Sequence, residues 1–215
     1  LSVIAIVAIP AATGIAVISK TAIPVLLGPN WVEAIPLVHA MAFVGLLTSL
    51  HSNTGVAYIA LGKPRIHVLL QSISAIVLLP SAIALAKIFG IVGVAYAYLL
   101  ANGLTFVINI FIAVHLIQIP PRKAIVSVQR PLLSALLMYV TVDWLQEYLM
   151  DQVALIWNLL LSISTGALVF TAMLLVLWLI SGRPKGAETI ALEYSRRIPV
   201  IGKLAERLLP ASIRQ

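Results

Sequence analysis

Residues 66–117 read IHVLLQSISAIVLLPSAIALAKIFGIVGVAYAYLLANGLTFVINIFIAVHLI, and Lys87 is the only Asp, Glu, Lys or Arg among them. One membrane crossing takes roughly 20 apolar residues, so this run is too long for one crossing and suits two. Phe89-Gly90 places a turn signal between the halves, which predicts a helical pair over about 66–88 and 91–117. A β-barrel needs strands of about ten residues with alternating polarity, and these continuous blocks do not alternate. A backbone exposed to lipid must satisfy its own hydrogen bonds, so the blocks read as helices.

Extending the same reading outward predicts six spans in all, about 1–27, 31–61, 66–88, 91–117, 131–150 and 153–180. Gly28-Pro29-Asn30 closes the first and Gly62-Lys63-Pro64-Arg65 the second. A polar loop over 118–129, with Pro120-Pro121-Arg122-Lys123 at its core, follows the fourth. Ser181-Gly182-Arg183-Pro184 ends the sixth. Asp143 cuts the fifth block short, so that span carries the least apolar signal. Pro10, Pro24, Pro36 and Pro80 lie inside or near span ends, where membrane helices tolerate proline and bend.

Bulk composition agrees. The chain is 61% hydrophobic and 10% charged, with mean hydropathy +1.09, more apolar surface than a soluble core can hide. The expected fold is therefore an all-α integral membrane protein. Residues 1–183 would form a six-helix transmembrane bundle and 184–215 a basic cytoplasmic tail. The tail reads either as an amphipathic surface helix, with Ile201, Leu204 and Leu208 on one face, or as a disordered basic segment. The first residues, Leu1-Ser2-Val3-Ile4, are already deep in apolar sequence and lack Met, which suggests a longer protein whose N-terminal half is missing.

Of fourteen Lys and Arg residues, twelve lie in every second gap or in the tail. The positive-inside bias then sets both ends of the chain in the cytoplasm, against anionic lipids. The net charge of +7 does not form a basic face with interleaved aromatics, so nucleic acid is not an expected partner. There is no Cys, hence no thiolate site. The four histidines show no metal-ligand spacing, and no metal or other cofactor is expected. No Gly-rich phosphate loop or nucleophile elbow occurs, and the acidic residues fall in the outer gap and tail. An enzyme is not expected; a polar-lined bundle suits transport.

Few polar groups interrupt the spans. Lys20, about a turn from the outer end of the first helix, reads either as a snorkelling side chain or as a cavity-facing cation able to attract a phosphate. Tyr98, Asn102, Thr105 and Asn109 share one face of the fourth helix, as either interhelical glue or a polar lumen. Gly93, Ala97 and Ala101 run opposite as a small-xxx-small series that permits close helix contact. Thr48, Ser52 and Gly55, and His67, Gln71 and Ser74, form lesser polar faces.

The turns resemble those of a family. Val25-Leu26-Leu27-Gly28-Pro29-Asn30-Trp31, then Ala60-Leu61-Gly62-Lys63-Pro64, then Gly90-Ile91-Val92-Gly93-Val94-Ala95 fall in the order and near the spacing of motifs in the polysaccharide transporter family. That family belongs to the MOP flippase superfamily, with the O-antigen and exopolysaccharide flippases. Residues 20–117 carry the resemblance, and 130–185 match only in hydropathy and an Arg130-Pro131-Leu132-Leu133 start. On physical grounds Gly28, Trp31, Gly62, Pro64, Gly90 and Gly93 are architectural. The resemblance implies one lobe of a two-lobe transporter of the bacterial inner membrane, working by alternating access on an undecaprenyl-pyrophosphate-linked oligosaccharide. Lys20, Tyr98, Asn102, Thr105 and Asn109 would be its candidate contacts here. A MATE-like small-molecule exporter of the same superfamily and a membrane enzyme of glycan assembly are the alternatives.

Overall fold

A computed structural model describes residues 2–117, 121–149 and 152–180. Five α-helices follow in order: α1 (Ser2–Leu26), α2 (Ile35–Ala60), α3 (Pro64–Ile117), α4 (Pro121–Leu149) and α5 (Leu155–Ile180), with a 3-10 segment, Pro29–Ala34, between α1 and α2. No strand occurs among the described residues. Four segments, Ile4–Leu26, Pro29–Ala60, Pro64–Leu116 and Leu155–Ile180, are long and apolar enough to cross a membrane, and the chain is a multi-pass membrane protein.

The six expected spans thus fall on five helices, because 66–88 and 91–117 both belong to α3. This element cannot be straight. Its 54 residues would extend about 81 Å at 1.5 Å per residue. Yet a Cβ on Gly55 would sit 2.9 Å from His67 Nδ1, while Tyr58, on the same stretch of α2, donates to Asn109 Oδ1 at 2.7 Å. One short segment of α2 therefore meets both ends of α3. The reversal is at Gly90, whose φ of 60° and ψ of −140° are non-helical and suit a residue without Cβ. A Cβ on Gly93 would collide with the Leu85 carbonyl, so the turn needs both glycines. The Gly93, Ala97 and Ala101 face is buried, as close packing of small residues requires.

The other turns have equally local causes. Gly28, at φ 93°, precedes Pro29, the first residue of the 3-10 segment. After α2, Lys63 N–H donates to Tyr58 O at 2.8 Å and Gly62 N–H to Ile59 O at 3.0 Å. This is a Schellman cap, with Gly62 at φ 69° in the left-handed position. Pro64 then opens α3, where a missing N–H costs nothing. Trp31 is half-exposed at the end of a span, a common site for an indole at the membrane interface.

The polar loop expected over 118–129 is corrected from Pro121 onward: α4 begins there, again with proline at a helix start. Residues 118–120 and the tail from 181 lie outside the described residues. Although α4 is not among the four apolar segments, it packs against α1 and α5. Its buried positions, Pro131, Ser134, Ala135, Met138, Val142 and Gln146, recur at helical spacing. Leu132, Leu136, Val140 and Trp144 project outward. The core joins Ala5, Ile9 and Val17 of α1 to Ala135, Met138 and Val142 of α4 and Phe170 of α5. α1 also packs on α2, which carries α3.

Candidate functional site

A polar side chain within a span must find a partner or a wet cavity, and the partners here form two clusters. The first ties α1, α4 and α5. Lys20 Nζ donates to Asp143 Oδ1 at 2.8 Å, with the side chains 50% and 32% exposed. One turn further along α4, Gln146 Nε2 donates to Val17 O at 3.2 Å. Asn158 Nδ2 of α5 donates to Gln146 O at 3.2 Å, and Ser162 Oγ donates to Asn158 Oδ1 at 3.2 Å. Asn158, Ser162 and Gln146 are buried. Gln146 Oε1 and Ser134 Oγ are buried with no hydrogen-bond partner among the described residues.

Asp143 corrects one expectation. It belongs to α4, six residues before its last residue, Leu149, and pairs with Lys20 of α1 where the sequence reading gave it no partner. Lys20, read from sequence as a snorkelling or cavity-facing cation, is half-exposed and ion-paired. A lysine ammonium has three donors, and Asp143 takes one of Lys20's in the described structure. Half of the Lys20 side-chain surface remains exposed, so the ammonium is accessible to a further hydrogen-bond acceptor.

Beside this pair lies a groove of about 390 Å³. Ala11, Gly14 and Ile18 of α1 form one wall, Gly166 and Ala167 of α5 the other, and Met138 and Val142 of α4 the floor. Its few polar groups are already engaged: Ser162 bonds Asn158, and Thr171 Oγ1 bonds Ala167 O at 2.7 Å. Val142 on the floor directly precedes Asp143, and Val17, also lining the groove, lies three residues before Lys20. Neither Lys20 nor Asp143 is itself among the residues that line the groove.

The second cluster joins α2 to the second arm of α3, residues 91–117. Tyr58 Oη donates to Asn109 Oδ1 at 2.7 Å, and Asn109 Nδ2 donates to Thr54 Oγ1 at 2.8 Å. Tyr58 and Asn109 are buried. The expected stripe thus divides. Asn109 and Thr105 are buried, Thr105 bonding Ala101 O at 2.8 Å. Tyr98 is exposed, and Asn102 Nδ2 bonds Tyr98 O of its own helix at 2.9 Å. No hydrogen bond or ion pair joins Lys20 to this stripe among the described residues: Lys20 pairs with α4, and Asn109 pairs with α2. Asp143, Gln146, Asn158, Thr54 and Tyr58 were not singled out from sequence. The available signals were that Thr54 and Tyr58 are four apart on a helix and that Asp143 interrupts an apolar block. No group of three or more His, Cys, Asp or Glu able to hold a metal occurs among the described residues.

Comparison with known proteins finds a similarity over part of the chain. The chain is 27% identical over 114 residues to the lipopolysaccharide biosynthesis protein WzxC of Escherichia coli strain K12, a match covering 53% of this chain and 23% of that protein. The matched stretch is thus under a quarter of the relative's length. No family model matches the chain, and no solved structure matches it.

Proposed function

We propose that this chain is the C-terminal part of a polysaccharide biosynthesis flippase of the MOP superfamily. It would move an undecaprenyl-pyrophosphate-linked oligosaccharide across the bacterial inner membrane by alternating access. The similarity to a lipopolysaccharide biosynthesis protein over 114 residues carries the reading. The turn glycines support it, since Gly28, Gly62 and Gly90 all adopt positive φ where the resemblance places turns.

In this reading the helices, with α3 counted as two arms, form one six-helix lobe that faces a second lobe in the complete protein. The chain is a transporter and not an enzyme, with both ends of this segment cytoplasmic and its basic gaps against anionic lipid. Lys20 exchanges Asp143 for the substrate's phosphate, and the exposed Tyr98 and half-buried Asn102 offer hydrogen bonds to the glycan side. The test is outer-leaflet accessibility of a labelled lipid-linked glycan in cells lacking the full-length gene. Delivery should fall, with the glycan retained on the cytoplasmic leaflet. Unimpaired delivery without a redundant transporter sinks the reading, and drug sensitivity without a glycan defect points to a small-molecule exporter.

A further inference from the structure

Four exposed aromatic side chains gather at one end of the bundle. Lys20 lies six residues before the end of α1 and Asp143 six residues before the end of α4, so their contact brings those two helix ends level. Trp31 follows α1 in the 3-10 segment, and Trp144 and Tyr148 occupy the last two turns of α4. Trp157 is the third residue of α5, which starts six residues after α4 ends. All four are more than half exposed, whereas Trp178, near the far end of α5, is buried. On helices that cross a membrane, an exposed indole at one end meets the head-group boundary, where its apolar body and its N–H are both satisfied.

On α4 this boundary carries a more specific pattern. Trp144 and Tyr148, four residues apart, stack with ring centroids 5.7 Å apart and planes inclined by 15°, and they are 66% and 57% exposed. Glu147 is also exposed and, three residues from Trp144, is its neighbour on the helix surface. Lys20 takes Asp143, while no hydrogen bond or ion pair engages Glu147 among the described residues. Lys20, Asp143 and Glu147 together leave one negative charge at this end. Electron-rich ring faces beside an unpaired carboxylate complement a cation. The rings attract an ammonium over their faces, a tryptophan most strongly, and the carboxylate accepts its N–H groups.

The position decides which ammonium. Trp144 is five residues from the end of α4, about 7.5 Å along the axis. That depth is close to the roughly 5–7 Å of head-group layer on each side of the hydrocarbon core. The cations held in that layer are those of the lipids themselves.

We propose that Trp144, Glu147 and Tyr148 form a site for the ammonium head group of a zwitterionic phospholipid, the ammonium resting on the aromatic pair and donating to Glu147. Such a site depends on the membrane alone and stands whatever the bundle carries.

The experiment uses the full-length protein in detergent micelles, with lipid retention read by native mass spectrometry. The probes are a phosphatidylethanolamine and the same lipid N-acetylated, which keeps the phosphate and both acyl chains but loses the ammonium. Wild-type protein should hold the ethanolamine lipid about fivefold more tightly, as an exposed cation–π contact and a charge-assisted hydrogen bond together allow. Glu147→Gln, nearly unchanged in shape, and Trp144→Ala, at an exposed position outside the core, should each bring the two lipids toward equal retention. They should do so by weakening the ethanolamine lipid and leaving its acetylated form unchanged. Tyr148→Phe, which keeps the ring, should keep the preference. So should Leu136→Ala, exposed on the same helix about two turns away.

Equal retention of the two lipids by wild-type protein overturns the ammonium as the group recognised, and reduces the aromatic residues to an interface anchor. A preference that survives both Glu147→Gln and Trp144→Ala overturns this location. Parallel weakening of both lipids by Glu147→Gln overturns the charge pairing, since the acetylated lipid has no cation to lose.

Discussion

Three glycine substitutions should give three different results, and their order tests the reversal of α3. Gly93→Ala introduces a Cβ into the Leu85 carbonyl. The obstruction is backbone, which cannot rotate away like a side-chain end, so the two arms must part. Gly90→Ala meets no atom within 4 Å but must hold φ near 60° and ψ near −140°, a region costing an L-residue about 1–3 kcal/mol. Gly45→Ala lies in the interior of α2, is exposed and meets nothing within 4 Å. There the only change is helix propensity, a gain of about 0.5–1 kcal/mol. Forced overpacking typically costs about 1–3 kcal/mol and occasionally more; at Gly93 the neighbour is rigid, so the upper end, about 3 kcal/mol, is expected.

The assay is reversible unfolding in mixed micelles, with a cysteine pair placed across the two arms to report their closeness by cross-linking. Gly45→Ala should stabilise, Gly90→Ala should destabilise, and Gly93→Ala should destabilise most and reduce cross-linking. If Gly93→Ala behaves like Gly45→Ala and cross-links normally, the chain does not reverse at Gly90 as described, and α3 would need a different path between His67 and Asn109.

Four further outcomes follow from the polar contacts and the charge pattern. A double-mutant cycle between Tyr58→Phe and Asn109→Ala should show coupling of about 0.6 kcal/mol and at most about 1.7 kcal/mol, because Asn109 O remains 3.4 Å from the hydroxyl as a poorer acceptor; additive losses would remove the clasp. A cycle between Lys20→Met and Asp143→Asn should give under about 1 kcal/mol of stability and shrink with salt, since both partners are partly exposed; a large, salt-independent coupling would contradict their exposure. Gln146→Met should change unfolding stability by less than about 1 kcal/mol, as an unpaired buried oxygen is lost along with one bond, whereas Asn158→Leu should cost about 1–3 kcal/mol by stranding Ser162 and losing its bond to Gln146 O. Cysteines at Asn30, Lys87 and Gln152 should label from the outer side and one at Lys63 from the cytoplasmic side; labelling of Lys63 together with Lys87 would reverse or break the topology.

Backbone features were legible because their causes are local. An apolar run with one charge states its own environment, and a glycine at a turn states its own φ. The α4 start was misread for an equally local reason: Pro120-Pro121 signals a turn in isolation, yet a proline on the first turn of a helix loses no bond. Side-chain partners were not legible. Lys20 and Asp143 lie 123 positions apart, and each alone reads as an isolated charge at a block end. Asn109 stood out on its stripe, but α2 carries Thr48, Ser49, His51, Ser52, Asn53 and Thr54 in close succession, so nothing in its pattern marked Thr54 and Tyr58 as the residues facing it. Periodicity finds a face only when the opposite face differs, and here polar residues surround the helix.

The two polar clusters also differ in what they permit. Tyr58 and Asn109 are sealed from the surroundings, and opening them would strand a hydroxyl and an amide in an apolar medium, a costly step. Their clasp therefore keeps α2 and the second arm of α3 moving together. Lys20 and Asp143 are half and one-third exposed, so water can replace either partner, and an incoming anion can replace Asp143, at little cost. Under the proposed transport function, a link that responds to substrate would be of this second kind, strong enough to hold a resting arrangement and weak enough for an anion to displace. The ion pair joins α1 to α4, and the same two helices help to build the groove. Its opening changes the contacts between those two helices, while the buried clasp leaves the other half of the bundle unaltered.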